Sequence, residues 1–430
     1  MINIININKL QEMEDIKDSD YLIVETTNGT KRVKKEVLIN EILNKMALYG
    51  FFQEKSDQNL NTKSKIITQA INSLNEAVMD QNTAIDTIES NVNKIKDKST
   101  HKLDYFSISV NLSNNKSPTD NMYKHMQYQG IDQTLIVMVN INDTSDIEPK
   151  TMDKERVISC IDKANSYGIK TVMLKPHLGV NWSDGTKRYN IDYGNNTNAF
   201  LSNWKNILLE YAQICNEKDI PVLCIGCEQK KMITNTYKAA WTNIIYLIKK
   251  AYPKLLLTYA FDMGDIMMND ENCILNSNID FIGINLYPQW YHTLYNDNLT
   301  YKDIMPSAYN AYAPWSDGYS FTKRIIDIYK KYNKETYITE IGVMPYDDGL
   351  LTLISEYAED KEADRNYKVS AIVYESIFNT YAKNPYVKGI ALWAMGHPFC
   401  YFDYDKENVI NYSEAEEVIK KYISEGDLVC

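Results

Sequence analysis

The 430-residue sequence contains no run of 18 apolar residues, so no membrane-spanning helix is expected. Basic residues are not in excess: 46 Lys and Arg stand against 57 Asp and Glu, a net charge of −11. A general binder of nucleic-acid backbone would need a basic face, so that class is set aside. Glycine-rich phosphate loops are also missing. Neither GxGxxG nor GxxxxGK followed by Ser or Thr occurs. The seven cysteines are scattered and odd in number, in a chain long enough to fold without staples, so no disulfide framework is expected. The opening MINIININKLQEMED lacks a basic stretch and a long apolar core, which argues against a secretory leader. What remains is 44% hydrophobic and 24% charged, an ordinary globular balance. Two or three domains are expected for this length. Tyrosine is plentiful, 33 residues, which suits a polar recognition surface but equally fills cores.

The first hundred residues differ from the rest. They hold no Trp, His, Cys or Pro and carry 13 basic against 15 acidic residues, leaving −9 of the charge to residues 101–430. The runs YLIVE and KRVKKEVL flank Asn28-Gly29, a hairpin signal, because Asn and Gly tolerate the positive φ of a type I′ turn. Residues 36–47 then read as a helix. Further on, Ile67, Ile71, Leu74, Val78, Gln81, Ile85, Ile88, Val92 and Ile95 alternate spacings of four and three. Such a stripe can be one face of a bundle helix. Its narrowness and the polar stop at 94–100 favour a coiled coil. With Ile71, Val78, Ile85 and Val92 at the d positions, β-branching disfavours a parallel dimer and favours three or more strands. The expected domains are a small docking module at 1–50, a coiled-coil stalk at 51–100 and a third domain at 101–430.

From residue 104 the pattern alternates strand and helix. Eight apolar runs stand out: 105–112, 134–140, 170–174, 222–226, 255–260, 280–286, 336–342 and 389–394. Continuous rather than alternating apolar residues imply strands buried on both faces, as in a parallel sheet. Helical stretches are expected at 154–167, 198–216, 236–251, 320–332, 363–382 and 413–424. Eight such units in this length match a (β/α)8 TIM barrel, an α/β fold; a doubly wound open sheet is the competing architecture.

Chemistry in such barrels lies at the C-terminal ends of the strands. There the third run delivers Lys175 and His177, the fourth Glu228, the fifth Tyr259 and Asp262, the sixth Tyr287 and Trp290, the seventh Glu340 and the eighth Trp393. Loops add Trp182, Trp315 and Asp403. Glu228 and Glu340 each end an apolar strand, where a charge has no packing purpose. Strands four and seven face each other across the mouth, and two carboxyls at one cleft are what glycoside hydrolysis requires. Either glutamate alone could instead pair with a basic residue at the rim. No metal ligand set is expected. Cys224 and Cys227 would point to opposite faces of a strand, His177 and His397 lack a third partner, and the acidic run 356–364 lacks calcium-loop spacing. No cofactor is expected.

Residues 104–424 resemble the clan-A glycoside hydrolases. Within that clan TVMLKPHLGV, VLCIGCEQ, LLLTYAFD, DFIGINLYPQW, YITEIGV and GIALWAM look most like the family-113 β-mannanases. The resemblance implies retaining hydrolysis, with Glu228 as acid/base, Glu340 as nucleophile and Tyr287 against the nucleophile. Trp393 would floor the subsite of the attacked sugar. From their strand-end and loop positions, Lys175, His177, Trp182, Tyr259, Asp262 and Trp290 are expected to contact substrate. One departure is Cys227, where much of the clan has an Asn that meets the sugar 2-hydroxyl.

Residues 20–38 and 60–76 are similar to N-terminal pieces of phage tail, baseplate and fibre proteins. Together these implications describe a homotrimeric polysaccharide depolymerase of a phage tail or tail-like particle. It would be made in the host cytoplasm, attach to tail proteins through its N-terminal region and act on host cell-surface polysaccharide. The alternative is a non-catalytic glycan-binding receptor protein on a TIM-barrel scaffold.

Overall fold

A computed structural model describes residues 21–26, 29–34, 101–114, 116–183, 188–268, 272–309, 320–351, 360–404 and 411–429. The chain divides into two units, Met1–Asn93 and Lys94–Cys430. In the first, Tyr21–Thr26 pairs antiparallel with Gly29–Lys34, and Thr26 faces Gly29, so Gly29 opens the second strand. The expected helix at 36–47, the heptad segment and Trp315 lie outside the described residues.

The second unit is an eight-stranded parallel barrel. Its strands are β1 (Tyr105–Leu112), β2 (Asp132–Ile141), β3 (Thr171–Val180), β4 (Val222–Cys227), β5 (Leu256–Asp262), β6 (Phe281–Leu286), β7 (Glu335–Ile341) and β8 (Val387–Met395). Neighbours pair in chain order, and β8 closes onto β1 with Ile390 opposite Phe106. Closure excludes the open-sheet architecture. The helices are α1 (Asp120–Gln129), α2 (Lys154–Ser166), α3 (Thr197–Glu217), α4 (Lys238–Ala251), α5 (Met263–Met268), α6 (Tyr301–Tyr309), α7 (Phe321–Tyr332), α8 (Tyr367–Ile377) and α9 (Glu414–Ser424). A π-helical turn, Phe378–Ala382, extends α8. α1, α5 and α6 lie outside the helical stretches expected from the sequence.

Apolar strand runs are explained by two cores. Residues such as Val137, Leu174, Leu223 and Ile338 pack outward against helices, with Trp204, Tyr211 and Trp241 among the buried helix residues. Met173, Val222, Cys224, Cys227, Ala260, Tyr337 and Ala391 fill the barrel interior. Burying each large apolar side chain contributes roughly 1.5–3 kcal/mol, which is what holds strands in register between the two layers.

Register shifts occur at several points around the barrel, and two of them lie just before the candidate glutamates. In β4, Cys224 faces Thr258 and Cys227 faces Ala260, so β4 carries one extra residue. In β7, Ile338 faces Ile284 and Glu340 faces Asn285, again one extra. A bulge re-aims the side chains that follow it. It is why Cys224 and Cys227 both reach the interior, correcting the expectation that they point to opposite faces. The bulged Ile225 carbonyl accepts from the Trp204 indole of α3 at 2.9 Å.

Candidate active site

Glu228 follows β4 immediately and has a φ of +55°, unusual for a residue with a side chain. Its N–H donates to the Ala260 carbonyl at 2.9 Å, which ties this strained turn to β5. Gly226, two residues earlier, is required by packing. A Cβ there would lie 2.6 Å from the Tyr259 ring and 2.7 Å from the Gln229 amide oxygen. The Glu228 carboxylate is 19% exposed and meets two partners. Asn285 Nδ2 donates to Oε1 at 2.7 Å, and an Arg188 guanidinium nitrogen lies 3.3 Å from Oε2.

Glu340 is nearly buried, 4% exposed, at the end of β7. Lys175 Nζ donates to its Oε1 at 2.5 Å and the Tyr287 hydroxyl to its Oε2 at 2.7 Å. His177 Nε2 lies 3.5 Å and Cys227 Sγ 3.9 Å from Oε1. Burial pushes the Glu340 carboxyl up, but the Lys175 and His177 charges and the hydrogen bonds outweigh it and hold the group below the usual range. For Lys175 the same contest runs with opposite sign: burial pushes it down, Glu340 pulls it up, and the net is upward. Both directions favour the ionised pair. Tyr287, raised well above its ordinary value by burial and by Glu340, stays a donor.

The two glutamates share one cleft through Asn285. Lys175 Nζ lies 3.4 Å from Asn285 Oδ1 and 3.3 Å from the Thr339 carbonyl. The Thr339 hydroxyl donates to the same Oδ1 at 2.8 Å, and Asn285 Nδ2 lies 3.5 Å from Cys227 Sγ. Ladder register prepares this. Asp262 faces Asn285, and Asn285 faces Glu340, so three polar residues stand at one level. Asn285 on β6 thus brings an amide to Glu228, whose own predecessor is Cys227.

Of the other expected contacts, Trp393 sits on β8 with His177 stacked 5.8 Å away and Lys175 Nζ 5.9 Å from its ring centre. Trp182 is half-buried in the β3–α3 loop, its backbone N–H donating to Asn140 Oδ1 at 2.6 Å. Asp262 is half-buried at the end of β5, and burial, with help from the charges of Glu228 and Asp265, raises it to about 6. Two aromatics are placed differently from the expectation. Tyr259 is fully buried and its hydroxyl accepts from the Gln229 N–H at 2.9 Å. Trp290 is 2% exposed, with Nε1 donating to the Gly342 carbonyl at 3.0 Å. Both brace the strand ends from behind instead of lining the mouth. Arg188 and Asn285 escaped the sequence reading. Arg188 belongs to a short loop helix among other charges. Asn285 is a lone amide in an apolar run, and its spacing of two from Tyr287 is the signal that both face inward.

His177, Cys227 and Glu340 place ligand-type atoms within 4.8 Å of one another, supplying the third partner that spacing did not suggest. The Lys175 ammonium already rests on the same Glu340 oxygen, so a cation there would have to displace it.

A closed parallel barrel with acids at its strand ends is the architecture of the barrel glycoside hydrolases. The chain belongs to glycoside hydrolase family 113, whose profile matches residues 105–413. It is similar in fold to a GH113 β-1,4-mannanase in a complex structure, at 19% identity and a TM-score of 0.55, covering 75% of this chain and 99% of that one. It is likewise similar to the GH113 β-mannanase AaManA from Alicyclobacillus acidocaldarius in complex with ManMIm, at 17% identity and a TM-score of 0.54, covering 75% and 98%. No curated protein matches the chain.

Proposed function

We propose that the barrel is a retaining endo-glycosidase acting on a β-mannan-like polysaccharide of a host cell surface. In this reading Glu340 attacks the anomeric carbon while Glu228 gives its proton to the leaving oxygen. Glu228 then takes a proton from water, which releases the sugar from Glu340. Tyr287 keeps Glu340 aimed, and Trp393 floors the attacked subsite. Asp262 and Trp182 contact the glycan from the rim. The observation that carries this reading is the paired environment. One glutamate is buried and held ionised by Lys175 and Tyr287, the other is partly open and bound by an amide, and both belong to one hydrogen-bonded cluster. Residues 1–100 are read as the tail-attachment module and trimeric stalk of a phage or tail-like particle. Their resemblance to fibre segments and their heptads support that part.

The test is hydrolysis of β-1,4-mannan and of purified host envelope glycans by the full chain. Cleavage with retention at the new reducing end, seen by NMR, is expected. Glu228→Gln and Glu340→Gln should each lose at least about 100-fold in turnover on these unactivated glycans while still binding them. Inverted product, or full activity in Glu340→Gln, overturns the mechanism. Tight glycan binding by the wild type without any cleavage would replace it with the receptor-binding reading.

A further inference from the structure

The Lys175 ammonium is fully buried, an expensive place for a charge unless an anion stays beside it. In the resting site Glu340 is that anion, at 2.5 Å. The proposed first step removes it. A bond forms between a Glu340 oxygen and the anomeric carbon, the bond from that carbon to the leaving oxygen breaks, and the Glu228 proton moves to the leaving oxygen. Glu340 is then a neutral ester and Glu228 a carboxylate. Negative charge has passed from one glutamate to the other, while the buried cation stays beside Glu340 and Asn285.

The contacts available to that cation lead toward Glu228. Nζ has Asn285 Oδ1 at 3.4 Å and the Thr339 carbonyl at 3.3 Å, and Asn285 Nδ2 already donates to Glu228 Oε1 at 2.7 Å. A cation on the oxygen of an amide polarises it and strengthens the donors on its nitrogen. The Thr339 hydroxyl on the same oxygen fixes the amide so that its NH2 faces Glu228. We propose that Lys175, acting through Asn285, is a positioning residue for the second half of the reaction. It follows the charge from Glu340 to Glu228 and holds the Glu228 carboxylate aimed at the water that cleaves the ester. This rests on the retaining reading above.

The experiment uses 2,4-dinitrophenyl β-mannobioside, whose leaving group needs no proton, so that the second step limits turnover. Removing one partner of a buried ion pair can unfold a protein, so Asn285→Ser, which leaves Lys175 on Glu340, is tested beside Lys175→Met. Asn285→Ser is expected to give a dinitrophenolate burst and a kcat lowered at least about tenfold. Its KM should fall in step, so that kcat/KM is nearly unchanged, and azide, which attacks without a general base, should restore kcat. A merely structural role would lower kcat and kcat/KM together with no burst and no azide rescue, and that result overturns the relay. Wild type is also treated with the 2-deoxy-2-fluoro analogue of the probe. Wild-type turnover with a label on Glu340 keeps the retaining reading whatever Asn285→Ser does. A wild type that neither turns over the probe nor takes the label sinks the retaining reading itself, and the relay with it.

Discussion

Asp262 shows how the cleft sets the behaviour of a single residue. Burial and the Glu228 and Asp265 charges lift its carboxyl to about 6 in the folded chain, against about 3.9 in an unfolded one. The folded value is the higher, so the stability linked to this group is fully present below about pH 4 and is lost as the pH rises through about 6. Above that, ionised Asp262 costs the fold on the order of 1–3 kcal/mol. Asp262→Asn should therefore unfold at higher denaturant than the wild type at pH 7 and match it at about pH 4. An equal difference at both pH values contradicts this. Side chains of this kind were legible to differing degrees. Glu228 and Glu340 stand out because a charge at the end of an apolar strand has no packing purpose, whereas Tyr287 is marked only by the family resemblance. Tyr259 and Trp290 each carry both an apolar body and a donor, and sequence alone does not say which way such a side chain turns. Arg188 had no signal at all, since its place beside Glu228 depends on how a long loop folds back.

Between residue and fold, α1 shows how an element escapes a sequence pattern when its buried face is partly polar. α1 buries Met122, Tyr123 and Met126, but also His125 and Gln129, so its apolar stripe is interrupted. Those two are buried because Glu416 of α9 comes to meet them. Its Oε1 accepts from Gln129 Nε2 at 3.0 Å and lies 2.7 Å from His125 Nδ1. Its Oε2 accepts from the Ser413 N–H at 2.8 Å in the capping box that starts α9. The Tyr401 hydroxyl completes the cluster on Gln129 at 2.6 Å. One carboxylate thus joins the first barrel helix to the last. Glu416→Leu would leave several buried polar groups unsatisfied at about 1–3 kcal/mol each, so a loss of roughly 3 kcal/mol or more is expected. Glu416→Gln, which keeps an acceptor, should lose less. Denaturant unfolding of both variants is the measurement, and a Glu416→Leu loss below about 1 kcal/mol contradicts the account. The bulges in β4 and β7 were hidden for a related reason. Strand periodicity assumes an unbroken alternation, and one inserted residue reverses the facing of all that follow.

For the whole molecule, eight apolar runs separated by helical stretches point to a parallel α/β fold, because a parallel sheet buried on both faces leaves a continuous hydrophobic signal in each strand, and closure of β8 onto β1 makes it a barrel. The proposal of a trimer rests on a different signal, the heptad spacing between Ile67 and Ile95. A helix with apolar residues only at a and d buries too narrow a stripe to be stable alone and must find partners. In a parallel dimer the geometry at d suits Leu and disfavours β-branched side chains. Here d is Ile71, Val78, Ile85 and Val92, while Gln81 occupies one a position. A single polar residue at a, packed against its own copies, lowers stability but selects one register and one number of strands. The proposed trimer satisfies both constraints, and it would raise the effective affinity for a repetitive glycan without any new contact. Light scattering on the full chain should therefore give three times the 49.8 kDa chain mass. A shortened protein beginning at residue 101 should run as a monomer and keep its turnover on soluble glycan, since the cluster around Glu228 and Glu340 draws its residues from 175–340 of one chain. Gln81→Ile should raise the melting temperature of the assembly while loosening its specificity for three strands. A full-length monomer, or a trimer that survives removal of residues 1–100, would place the assembly interface elsewhere.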